Sequence, residues 1–124
     1  MSTPILQPGI GDVVGDHYLP AAVENVFWGR LPCATDAPVL RIEPGATVTV
    51  DTVSHEGILE DQGKDPLAFF GAHGVAEEQV LEDAVAIAAS LSRDVMADGP
   101  HVVTGPIHVA GAQPGDLLQI TVVR

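Results

Sequence analysis

The segment Asp51-Thr52-Val53-Ser54-His55-Glu56-Gly57, followed by Glu60-Asp61-Gln62-Gly63-Lys64-Asp65, gathers proton-transfer and metal-ligating groups into one glycine-containing loop. A neutral imidazole can bind a metal ion or accept a proton from water, and a carboxylate beside it can orient that water or a substrate amide. His55 and Glu56 are therefore the first candidates for chemistry. The plainer alternative is a solvated acidic loop, since no His-Glu-x-x-His spacing accompanies the pair.

The other histidines are less pointed. His73, in Phe70-Gly71-Ala72-His73-Gly74, is set among glycines that would let a ligand approach the backbone, or that merely turn the chain. His101 and His108 bracket Thr104-Gly105-Pro106, and a regular strand would send them to opposite faces, away from a common metal ion. His17 reads as a surface residue. Nucleophiles have little support. Ser54 and His55 are sequence neighbours that a strand would point apart, and no Gly-x-Ser-x-Gly elbow occurs. Cys33 is the single cysteine, which excludes an internal disulfide and a cysteine-based metal knot; a lone cysteine is expected to be a small buried hydrophobe. No glycine-rich phosphate cradle joins a strand to a helix.

The elements that must position these groups are short. Thirteen glycines and ten prolines punctuate 124 residues, which suits many brief strands. The opening Thr3–Asp16 reads as irregular. Val39–Ile42 reads as a strand stopped by Pro44-Gly45, a pair suited to a type II turn. Thr47–Thr52 then alternates at period two, placing Val48 and Val50 on one buried face. Pro114-Gly115 repeats the device before Leu117–Val123, with Leu118, Ile120 and Val122 on one face; duplication and chance both explain the recurrence. Val102–Val109 reads as two strand pieces broken at Pro106, which cannot donate to a ladder. Apolar residues spaced by three and four from Ala76 to Leu91 predict one helix, residues 76–91, with Glu77, Glu78, Glu82 and Asp83 toward its dipole-favoured start. The expected fold is mainly β: a single sandwich- or barrel-like domain over residues 1–124, of short strands with one inserted helix.

Composition bounds the partners. Nearly half the residues are apolar, yet acidic residues interrupt the longest apolar stretch, so no membrane span is expected. Met1–Gly11 shows no basic-then-apolar secretory pattern, and with the single cysteine this favours the cytoplasm. Seventeen acidic residues against five scattered basic ones give a net charge of −12. Phosphate backbones and anionic membranes are repelled by such a chain, so neither nucleic acid nor membrane is an expected partner.

Gly99-Pro100-His101-Val102-Val103-Thr104-Gly105-Pro106-Ile107, followed by Val109-Ala110-Gly111-Ala112-Gln113-Pro114-Gly115-Asp116-Leu117-Leu118, resembles the characteristic Thr-Gly-Pro-Ile…Pro-Gly-Asp segment of the acetamidase/formamidase family. His17-Tyr18-Leu19-Pro20, Phe27-Trp28-Gly29 and the loop from Asp51 to Pro66 are similar to one branch of it, so the resemblance spans nearly the whole chain. It implies hydrolysis of formamide, acetamide or similar short amides to a carboxylate and ammonia. It further implies a mainly β, often homo-oligomeric enzyme, in some members with a divalent metal such as zinc.

Members of that family are two to three times longer, and their later Gly-, Asp- and His-rich segments are absent here. The chain therefore resembles the amino-terminal portion, with the remainder or a second subunit as an expected partner. The resemblance makes His55 and Glu56 the water-handling groups, His55 the candidate metal ligand, and His101 and Thr104 candidates for lining the amide pocket. Two other readings stand beside it: a non-catalytic β binding or assembly module derived from the family, and a self-sufficient metal-dependent hydrolase built on His55, Glu56 and the nearby acids.

Overall fold

The computed structural model describes residues 5–124. Six three-residue strands form three separate two-stranded pairings: β1 (His17–Leu19) runs parallel to β4 (Val48–Val50), β2 (Val26–Trp28) antiparallel to β5 (Val102–Thr104), and β3 (Leu40–Ile42) parallel to β6 (Ile107–Val109). Two α-helices, α1 (Pro66–Gly71) and α2 (Glu82–Ser90), lie in the chain between β4 and β5. Short strands and few helices agree with the mainly β expectation. Among the described residues no helix is long and apolar enough to cross a membrane.

The punctuation explains the brevity of the strands. Pro44-Gly45 turns as expected, with Gly45 at φ 88° and the Ala46 amide donating to Glu43 O at 3.1 Å. Gly105-Pro106 separates β5 from β6, with Gly105 at φ 138°. Thr3 and Pro4 of the opening lie outside the described residues; residues 5–16 form bends and turns without a strand.

Four sequence expectations need correction. The helix drawn over 76–91 is only α2, because Glu77–Gln79 form a separate 3-10 turn and Val80 and Leu81 are extended. Gln7 gives the physical reason: its side chain receives the Glu82 amide at 2.9 Å and donates to Val80 O at 2.9 Å, satisfying the backbone where the helix begins. The inserted helix is also not single. Asp65 accepts from the Ala68 amide and Pro66 occupies the first turn, a helix start hidden in what reads as an acidic loop. The final strand does not form. Pro114-Gly115 does turn, with the Asp116 amide donating to Gln113 O at 3.0 Å, but the Leu117–Val123 backbone finds no hydrogen-bond partner in the described chain. Alternation supplies a strand's face, whereas a strand also needs a neighbouring edge. Lastly, Val50 is exposed while Val48 is half-buried, β1 being the only strand paired with them among the described residues.

The core joins these pieces. Ala21, Val26, Trp28, Val53, Ile58, Ala84, Ile87 and Ala88 form one buried cluster, so β2, the loop after β4 and the inner face of α2 share an interior. Ile58 and Ile87 are completely buried. Ile87→Ala should lower unfolding stability by about 2–5 kcal/mol, the usual range for truncating a buried aliphatic side chain. Urea denaturation would check this, and a loss below about 1 kcal/mol would mean that α2 does not anchor the core.

Candidate functional site

His55 and His101 come from different segments and meet. Their ring centroids are 5.0 Å apart at an interplanar angle of 67°, an edge-to-face contact. His55 Nε2 lies 3.5 Å from Glu56 Oε1, and the His55 side chain is 27% exposed against 53% for Glu56. Three of the four sequence candidates thus stand together at the surface.

Two backbone arrangements hold them. On one side, the chain turns sharply after His55: the Ile58 amide donates to His55 O at 3.2 Å, with Gly57 at φ 86°. Gln62 braces that turn by accepting from the Gly57 amide (2.7 Å) and donating to Glu56 Oε2 (2.7 Å). The glycine is required there, because a Cβ would stand 2.7 Å from Phe70 Cε2. On the other side, His101 is fixed through its backbone. The Gly29 amide donates to His101 O (2.9 Å), and the Trp28 indole N–H donates to Pro100 O (2.9 Å).

Arg93 stabilises this second arrangement. Its guanidinium pairs with Glu60 Oε2 at 2.7 Å and donates to the Asp98 and Gly99 carbonyls. It lies 5.5 Å from the Trp28 ring centre, as does the Lys64 ammonium. Burial pushes the Glu60 carboxyl up, but its backbone amide and Arg93 outweigh that and hold it below the ordinary glutamate range.

Thr104 is placed differently. Its hydroxyl donates to Asp51 O at 2.8 Å, tying β5 to the end of β4. The Asp51 carboxylate receives the Tyr18 hydroxyl at 2.5 Å, and the same phenol oxygen accepts from the Gly9 amide. Burial and the Asp51 hydrogen bond together raise the Tyr18 phenol above its usual range. Asp83, only 9% exposed, is nearby; burial first, then the carboxylates of Asp51, Glu82 and Glu24, push it up. Tyr18 and Asp83 were not legible as partners of Asp51, because β1 and α2 are brought to it only by folding. Gln62 had a weak signal, its place in the polar loop after Glu56.

The remaining candidates lie apart. His73 Nδ1 sits 2.9 Å from Phe69 O and its ring packs on Phe69, a local contact within the turn after α1. His108 is exposed on β6 opposite Arg41. Cys33 is exposed rather than buried, in a turn where its amide donates to Asp36 Oδ2. Structural zinc takes four ligands and catalytic zinc at least three from protein. Among the described residues no group of three or more His, Cys, Asp or Glu side chains could hold a metal ion.

No protein-family model, curated protein or solved structure matches this chain. The family resemblance rests on its residue strings alone.

Gly57→Ala should cost roughly 1–3 kcal/mol, from positive φ and the clash with Phe70. It should also broaden or shift the His55 ring signals by NMR; an unchanged spectrum and stability would show that the turn does not fix His55. Asp83 gives a second expectation. Its folded-state pKa is raised from 3.8, so the folded state holds the proton more tightly and stability falls as pH rises from about that value through the raised one. Asp83→Asn should therefore raise the melting temperature at pH 7 and leave it little changed at pH 3. No gain at pH 7 would contradict the unfavourable burial of this carboxylate.

Proposed function

We propose that this chain is the amino-terminal portion of an amide hydrolase of the acetamidase/formamidase type, cleaving short aliphatic amides such as formamide and acetamide to a carboxylate and ammonia. The carrying observation is the meeting of His55 and His101 beside Glu56. One of these histidines belongs to the acidic loop and the other opens the Thr-Gly-Pro segment, the two regions on which the resemblance rests.

Amide hydrolysis requires a water to be deprotonated as it attacks the carbonyl carbon and a proton to reach the departing nitrogen. Two imidazoles in contact can divide that work. His55 accepts the proton from water, with the Glu56 carboxylate oxygen 3.5 Å from its Nε2. As the carbon–nitrogen bond breaks, a proton from the imidazole pair reaches the nitrogen and ammonia leaves. Charge developing on the carbonyl oxygen needs donors aimed at it; this reading assigns them to the carboxy-terminal portion or a second subunit. Thr104 acts by holding Asp51 rather than by touching the amide. In this reading the three strand pairs belong to a sandwich- or barrel-like domain of a cytoplasmic homo-oligomer.

The exposed Leu117, Leu118, Ile120, Val122 and Val123 favour a second reading, a non-catalytic β assembly module. An apolar segment whose backbone is unpaired among the described residues can be completed by a strand from another chain.

Ammonia release from acetamide separates the two. In the active form, this chain alone or combined with the carboxy-terminal portion, His55→Ala should lower kcat/KM by roughly 10²–10⁴-fold, the typical contribution of a general base. Unchanged turnover in that variant would remove His55 from the mechanism. Absence of turnover in both preparations would leave the assembly module.

A further inference from the structure

Glu56 also lines a cavity of about 710 Å³, walled by the loop Val53–Ser54, the turn Gly74–Ala76, the extended Val80 and Leu81, and Ala84 of α2. The wall is predominantly apolar. Ile5 closes one side, where the neighbouring Gln7 clamps the amino-terminal segment to Val80 and Glu82 through two 2.9 Å hydrogen bonds. Formamide or acetamide would occupy only a small part of this space. Ligand pockets of this size hold molecules with a substantial apolar body and a few placed polar contacts.

From the size, lining and charge of this cavity we infer that it is the acyl-binding site for neutral primary amides carrying an aromatic or branched aliphatic group. The inference rests on the hydrolase reading and extends its substrate class. The polar groups are confined to Ser54, Glu56 and Gln79, so an amide NH₂ can donate to Glu56 while its apolar group enters between Val75, Val80 and Ala84. Glu56 and the net charge of −12 disfavour anions. The same cavity therefore discriminates against the corresponding carboxylate, and the hydrolysis product is repelled by the site that held its precursor.

Binding of acetamide, phenylacetamide and phenylacetate to the full chain can be compared by NMR titration, following the methyl groups of Val75, Val80 and Ala84. Phenylacetamide should bind at least about tenfold more tightly than acetamide, because its ring removes more apolar surface from water, and at least about tenfold more tightly than phenylacetate. Val75→Trp, which fills the cavity from a partly exposed wall, should abolish the preference; Ala76→Trp, at an exposed rim position, serves the same purpose should the first variant not fold. Equal affinity for the two amides, preferred binding of the carboxylate, or a preference that survives in the folded variant would overturn the inference. Selective phenylacetamide binding without ammonia release from the active form would retain the amide site and remove the hydrolase reading instead.

Discussion

Trp28 is the place where separate lengths of this chain are fastened together. Its backbone pairs with Val102, its indole N–H reaches Pro100 O, and its ring is buried in the common core near the cations of Lys64 and Arg93. Arg93 in turn holds Glu60 and the carbonyls of Asp98 and Gly99. Strands of three residues cannot supply much order by themselves, since isolated two-stranded pairings are marginal in water. Side-chain contacts to a large buried aromatic supply what the ladders lack, and His101 is positioned because it directly follows the segment fastened there.

The opposing half of the site depends on a different constraint. Gly57 permits the turn after His55, Phe70 of α1 fills the space that a Cβ would take, and Gln62 joins the turn to Glu56. The His55–His101 contact is therefore the meeting of two locally braced segments. Asp51, four residues before His55 in the chain, is linked to β5 through Thr104 and to β1 through Tyr18. Burial of Asp83 among the carboxylates of Asp51, Glu82 and Glu24 opposes folding locally.

Much of this arrangement can be read from local residue order. Pro44-Gly45, Pro114-Gly115 and Gly105-Pro106 mark breaks that the backbone conformation imposes, and β3, β4, β5 and β6 fall close to where alternation and punctuation put them. What could not be read was partnership. Leu117–Val123 has strand alternation but no neighbouring edge among the described residues, so no strand forms there. Alanine-rich periodicity from Ala76 extended the expected helix across residues whose backbone groups are instead satisfied by Gln7, far away in the sequence. His55 and Glu56 were legible as a pair because they are adjacent. The contact of His55 with His101 was not, because it follows from how β2 and β5 register and how the loop folds over them.

A single catalytic unit has a consequence that separated surface histidines do not. Its most direct measurement is a double-mutant cycle on amide hydrolysis, comparing kcat/KM for His55→Ala, His101→Ala and the double variant in the active form. Residues that act as one unit are non-additive, so the double variant should lose little more than the more damaging single substitution. Losses that multiply independently, or a His101 substitution without effect, would contradict a shared site.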